Sequence, residues 1–333
     1  MLYIFKYLLK CITYILLTML IVIFSFISCT DDSFDRTIHN ENAYIDTNNN
    51  IPENITPAPG NNGLLVVTNI TENSAKIQWT LATDNSPAEL LQYQIVVSRN
   101  LTLFSLEEIL QSGLLEDDKW SSGPVNEQTI LNLLYGKQYF VNVCVRDPDN
   151  NIAIYYPATF TTIGRIYLFS AGTYTGAMAS SSNTARQEIN ELVHKALINN
   201  YPNLPQDNHV AFISIDSIDA IKNIPEHYGL PTNWPIYSPT DKKIANSLYE
   251  LLLNDDIGNT LVGFDVITDG GGEGWWSGST EYGSCAENTC NSWTDGSNEY
   301  KGRLGKKNKT NKEWISSKDD SCNNSLYLLG LCW

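Results

Sequence analysis

Positive charge is scarce in this chain: 21 Lys and Arg stand against 37 Asp and Glu, with only four histidines, for a net charge of −16. A surface of that sign repels nucleic acid and anionic lipid, so neither is expected as a general partner. The short patterns behind much catalysis are also missing. No Gly-x-Ser-x-Gly elbow, His-Glu-x-x-His helix or Gly-Lys-Ser/Thr phosphate loop occurs, which leaves hydrolase, metalloprotease and nucleotide-binding readings without their residues. Zinc spacings such as Cys-x-x-Cys are absent, and His194 and His209 supply no ligand spacing. Neither a metal nor a cofactor is expected.

What is present begins with Lys6 and Lys10, the sole charges of the first 28 residues, followed by an almost unbroken apolar stretch from Ile12 to Ile27 and then Ser28 and Cys29. A basic start, an apolar middle and a small residue at the cut make an export signal. The stretch falls short of the ~20 residues of a spanning helix. Phe26-Ile27-Ser28-Cys29 resembles a bacterial lipobox, which implies that the Cys29 thiol receives a diacylglycerol and becomes the mature N-terminus. Phe26 stands where a lipobox carries an aliphatic residue, and an uncleaved anchor helix is the other reading. Both readings put the rest of the chain outside the inner membrane, and lipidation implies a place in the cell envelope, on the outer membrane facing the exterior. The chain without residues 1–28 has 19 Lys and Arg against 37 acids, a net charge of −18.

Residues 29–62 are polar, rich in Asn and Asp, interrupted by Pro52, Pro57 and Pro59, and without apolar periodicity, so they read as a disordered tether. From 63 to 163 short segments alternate with period two. Ala75-Lys76-Ile77-Gln78-Trp79, Tyr93 to Val97, and Tyr139 to Val145 are strands with one face inward, and their spacing indicates a β-sandwich. These residues resemble a fibronectin type III domain. Trp79 stands at that family's buried tryptophan, and Leu133-x-Tyr135-x-Lys137-x-Tyr139 matches its tyrosine corner, which implies that Tyr139 bonds backbone a few residues upstream. Leu101–Gly123 is a longer insert than the family usual and holds a helical patch from Ser105 to Gln111. Cys144 reads as a small buried hydrophobe. The sandwich is expected to act as a spacer or interaction module.

Residues 165–333 mix helix and strand. Ile189, Leu192, Val193, Ala196 and Leu197 share one helical face, with Asn183 or Thr184 placed to cap it. His194 sits beside that face. Val210 to Ile215 reads as a buried strand, and a second helix is expected from Asp241 to Leu253 with Ile244, Leu248, Leu251 and Leu252 inward. Gly270 to Gly274 forms a loop into Trp275-Trp276, which are adjacent on a strand and so face opposite sides. One is expected in the core and the other exposed, as an aromatic platform for a ligand. Cys285, Cys290, Cys322 and Cys332 cluster near the C-terminus and read as two disulfides, with three pairings open.

Trp-Ser-Gly, Cys-x-x-Trp-Thr and the closing cysteine resemble a C-type-lectin-like, endostatin-like domain, as in an uncharacterised group of leptospiral surface lipoproteins. The fold class that follows is multidomain: an all-β sandwich and then an α+β lectin-like domain with disulfides. The resemblance implies Cys290 paired with Cys322, which leaves Cys285 for Cys332. The Glu-Pro-Asn, Gln-Pro-Asp and Trp-Asn-Asp calcium elements of sugar-binding relatives are missing, and Asp265, Asp269, Glu273 and Glu281 read as solvated acids. Between residues 301 and 318, Lys301, Arg303, Lys306, Lys307, Lys309, Lys312 and Lys318 face a single acid, Glu313. On so acidic a chain this local reversal suits sulfated glycan or an acidic protein.

The expected function is a non-catalytic surface lipoprotein that binds a host, plasma or extracellular-matrix ligand. Trp275, Trp276, Arg303, Lys306, Lys307 and Lys309 are its candidate contacts. A calcium-independent lectin and a structural envelope lipoprotein are the alternatives, with a glycan-acting carboxylate pair behind them.

Overall fold

Period-two segments of the first folded part pair as antiparallel strands. The computed structural model describes residues 55–253, 259–268 and 273–333. Cys29, the export signal, most of the tether, Asp269 and glycines 270–272 lie outside the described residues. Strands β1 (Leu65–Thr68), β2 (Ala75–Trp79), β3 (Gln92–Ser98), β4 (Ser121–Ser122), β5 (Glu127–Ile130), β6 (Gln138–Arg146), β7 (Ile152–Ile154) and β8 (Ala158–Thr161) form two sheets. One runs β1-β2-β5; the other runs β4-β3-β6-β7, with β8 also on β6. Between the sheets lie Ile77, Trp79, Tyr93 and the odd positions Tyr139, Val141, Val143 and Val145 of β6. The Tyr139 hydroxyl accepts the Leu134 N–H at 2.8 Å, the upstream bond that the tyrosine corner implies.

On the opposite face of β6, Asn142 and Cys144 are buried as well. Helix α1 (Leu106–Ser112), capped by Ser105 as its side chain accepts the Glu108 N–H, lies in the insert and covers that face. Its Ile109 joins Leu103, Val96 and Cys144 in a separate small core. Burial pushes the Cys144 thiol up to about 12, so it behaves as a hydrophobe.

After residue 164 the chain builds a third sheet from β9 (Ile166–Tyr174), β10 (His209–Ala211), β11 (Ile236–Tyr237), β12 (Lys243–Ala245), β13 (Gly274–Trp276), β14 (Lys301–Lys306), β15 (Lys318–Ser321) and β16 (Leu326–Cys332). The order is β12-β11-β9-β16-β13-β14-β15, with β10 on β16. All seven residues of central β16 are buried. Tyr327, Leu329 and Leu331 pack on one face, and Leu326, Leu328 and Cys332 on the other. A strand buried on both faces reads as a continuous apolar run. Helix α2 (Ala185–Asn200) covers the second face through Ile189, Val193, Ala196 and Leu197. Gly330 admits it: a Cβ there would lie 2.5 Å from Val193 Cγ1. The Thr184 hydroxyl does not cap α2 but donates to Glu188, whose carboxylate also accepts the Ser180 N–H.

The helix expected over Asp241–Leu253 is not formed. Its first part is strand β12, paired with β11, and one wide helical turn follows at Tyr249–Leu253, where the Ser247 hydroxyl accepts the Glu250 N–H. Sheet pairing engages Lys243 and Ala245, and the Ile244 carbonyl accepts the Leu261 N–H at 2.7 Å, so this backbone finds outside partners for bonds that a helix would have made internally. Ile244, Leu248, Leu251 and Leu252 still reach the core.

Residues Asn54–Trp333 constitute one compact unit. Arg165 joins its two parts. The guanidinium bonds Glu72 at 2.6 Å and Asp241 at 3.0 Å between the rings of Tyr135 and Tyr237. Glu72 also accepts the Tyr237 hydroxyl at 2.9 Å, and Tyr167 donates to Tyr135 at 3.0 Å. Among the described residues no helix is long and apolar enough to cross a membrane.

Candidate functional site

Strand β13 lies between β16 and β14, and its residues are buried on both faces, Trp275 in one core and Trp276 in the other. Trp275 and Trp276 do point to opposite sides, but each is 0 % exposed, which removes the expected aromatic platform. The Trp275 indole donates to the Trp314 carbonyl at 2.7 Å and stacks on Phe212 at 5.5 Å. Trp276 donates to the Tyr174 carbonyl at 2.8 Å and packs against Trp293. Alternation assigned the sides correctly, and packing on both sides, by Phe212 and Trp314 on one and Trp293 on the other, made both of them core.

The basic stretch is largely neutralised by its own hairpin and neighbours. Arg303 lies opposite Asp319 across β14 and β15 and grips it through two nitrogens, at 2.5 and 3.3 Å. Burial pushes the Asp319 carboxyl up, but hydrogen bonds from Arg303 and Asn288 outweigh it and hold the group below the usual carboxylate range. Lys306 reaches Glu313 at 3.9 Å, Lys312 reaches Glu281 at 3.0 Å, and Lys318 reaches Glu273 at 2.8 Å. Lys307 lies over the Tyr327 ring at 5.4 Å. Arg303 and Lys306 are therefore not free cations for a ligand, while Lys309, in the turn after β14, is half-buried. Glu273 and Glu281, two of the acids read as solvated, are the lysine partners here.

Cys290 and Cys322 form a disulfide, 32 residues apart in sequence. The second bridge is not formed: Cys285 and Cys332 carry free thiols. Cys332 ends β16 inside the cluster beneath α2, while Cys285 sits in a turn bridged to Ser279. Burial pushes the Cys332 thiol up to about 12; burial, then the charge of Asp216, raises Cys285. Thiol titration of the chain from Thr30 onward should therefore show one slow group, Cys285, when native and three when denatured. Two disulfides would leave only Cys144.

A concavity of about 500 Å³ lies along α2, lined by residues that include Gln187, Asn190, Glu191, His194, His209 and Tyr228. Arg186 anchors its floor. It bonds Asp219 through two nitrogens at 2.7 and 2.9 Å and donates to the carbonyls of Ala211 and Ile213. His194 on α2 stacks on His209 of β10, with ring centroids 4.4 Å apart. Sequence spacing missed both pairs because Arg186 and Asp219 are 33 residues apart and α2 crosses β10 only in the folded chain. No group of three or more His, Cys, Asp or Glu gathers as metal ligands among the described residues. Glu191 is the only carboxylate in the lining.

Burial, then the charge of His194, lowers the His209 pKa below the ordinary histidine value. The unfolded chain then takes up the proton first as pH falls, so stability is highest above the unfolded value of about 6.5 and declines through it. A lower Tm near pH 5.5 than near pH 8 is expected, and His209→Gln should flatten that difference.

No protein-family model and no curated protein matches the chain. Its neighbours among solved structures are fibronectin type III domains, over about a third of its length. The domain of human fibronectin type III domain containing protein 3 aligns at 16% identity, covering 33% of this chain and 85% of that one, with a TM-score of 0.23. The third such domain of human KIAA0343 protein aligns at 18% identity over 33% and 85%, with a TM-score of 0.22. Chitinase ChiA74 from Bacillus thuringiensis aligns at 25% identity over 32% of this chain and 14% of its own, with a TM-score of 0.23.

Proposed function

We propose that this chain is an envelope lipoprotein, anchored through Cys29 on the outer membrane, whose folded part binds a host or extracellular-matrix ligand without catalysis. In this reading residues 63–163 are a fibronectin type III-like stalk. Residues 165–333 are a lectin-like head of the leptospiral lipoprotein type. The concavity along α2 carries the binding reading. It offers amides, a carboxylate and two imidazoles beside β10, which pairs with the fully buried strand β16, a rigid mount for ligand contacts. One lining carboxylate favours binding over glycoside hydrolysis, which by its usual routes uses two. The same amides and rings suit a polyhydroxylated ligand, which keeps a calcium-independent lectin as the second reading.

The test has two arms. Metabolic labelling with a palmitate analogue should mark the native chain and not Cys29→Ser. An array of matrix proteins, plasma proteins, and neutral and sulfated glycans should retain the soluble chain and lose the Gln187→Ala/Glu191→Ala variant. Retention confined to glycans selects the lectin, and failure against every class leaves a structural envelope role.

A further inference from the structure

The sandwich carries an apolar groove of about 380 Å³ whose lining includes Phe104, Tyr156, Ile154 and Gly63. Phe104 is 68 % exposed and Tyr156 is 65 % exposed. Two large rings left in water around one concavity mark an interaction surface more than a folding residue.

Both rings are held outward by specific backbone. Leu103 has φ +59°, a left-handed conformation unfavourable for a branched side chain, and it turns its own side chain fully inward. The reversal throws Phe104 out. Three bonds hold it: the buried Asn142 amide donates to the Leu103 carbonyl at 2.9 Å, and the Glu108 carboxylate accepts the N–H groups of Thr102 and Phe104 at 3.1 Å each. Across the groove, Tyr155 is buried with its hydroxyl on the Thr80 carbonyl, so the next residue points out. The Tyr156 N–H donates to the Gly63 carbonyl at 2.8 Å. Gly63 itself has φ +75°, and a Cβ there would meet the Tyr156 ring at 3.2 Å. A left-handed Leu103 held by three bonds, one of them from the buried Asn142 amide, beside an exposed aromatic is a reason to look for function.

Charge narrows the occupant. Glu107 and Glu108, in the first turn of α1, line the adjoining concavity, and no Lys or Arg lines either one. We propose that the Phe104–Tyr156 groove docks a cationic segment of a second protein, with an apolar or aromatic side chain seated between the rings and Lys or Arg against Glu107 and Glu108. A second copy of this acidic chain and an anionic lipid surface both lack the complementary sign. The site lies on the sandwich, away from the α2 concavity, and its occupancy does not depend on lipidation or on the head's ligand.

The detergent-purified full chain is used to select from a displayed library of random peptides about twelve residues long. The expected consensus places an aromatic or large aliphatic residue beside Lys or Arg. Enriched peptides should lose roughly tenfold or more in affinity on Phe104→Ser/Tyr156→Ser, and less on Glu107→Gln. Affinity should also fall between about 0.05 M and about 0.5 M salt. Both rings are exposed, so unchanged thermal unfolding verifies that the variant is folded, and array binding by the α2 face should survive it. Overturning results are no enrichment, an acidic or uncharged consensus, equal binding to the double variant, or self-association in sedimentation abolished by Phe104→Ser.

Discussion

Replacing Trp275 by alanine should cost about 3–5 kcal/mol of stability, the range for truncating a large buried aromatic. Its ring stacks on Phe212 and Trp314, with Phe264 against it at 5.8 Å. The substitution therefore leaves a cavity at the centre of one core and orphans the Trp314 carbonyl. Domains of ordinary stability hold only about 5–15 kcal/mol, so much of the folded population is at stake. Trp276→Ala should act similarly on the other face. Denaturant midpoints of both variants measure the effect. Unchanged midpoints with loss of a ligand would instead restore the exposed platform expected from sequence.

Cys290→Ser, or reduction of the native chain, should remove about 2–5 kcal/mol, the usual range for a native disulfide. The bridge begins a turn in which Cys290, Asn291, Ser292 and Trp293 all have positive φ, from 49° to 62°. Such a conformation costs L-residues roughly 1–2 kcal/mol each. Contacts offset that cost: the Trp293 indole donates to the Ser214 carbonyl at 2.8 Å, and its own carbonyl accepts the N–H groups of Met178 and Ala179 at 2.9 Å. Two glycines make room for the sulfur, since a Cβ on Gly176 or Gly302 would lie 2.5 or 2.7 Å from Cys290 Sγ. Thermal unfolding with and without reductant checks the prediction. Cys322→Ser should lower Tm as much as Cys290→Ser, and the double variant no further. A Tm indifferent to reductant would mean that packing around Trp293 suffices to hold the turn.

Elements were legible where a local period reports on the neighbouring backbone. Ala75, Ile77 and Trp79 alternate inward as their spacing requires, and the apolar face of α2 follows from Ile189, Val193, Ala196 and Leu197. The bond at Tyr139 depends on residues only five apart, so it too is local. The Asp241–Leu253 segment shows the limit of this reasoning. Its apolar spacing suits a helix, but it also suits a strand followed by a turn, and the neighbouring edge at β11 decides between them.

Sequence alone determined which side of its strand each residue takes. It determined neither what covers that side nor which distant group meets it. Trp275 and Trp276 were assigned opposite faces correctly, and only the coverage of both faces made them core. Seven cations read as a patch until folding placed Asp319, Glu281 and Glu273 beside three of them. Four clustered cysteines read as two bridges, yet disulfides form by spatial approach, and Cys332 lies in an apolar core as a free thiol. The Arg186–Asp219 pair, the His194–His209 stack and the outward turn at Phe104 belong to the tertiary structure alone. Each depends on contacts or backbone angles between segments whose separation along the chain carries no periodic signal.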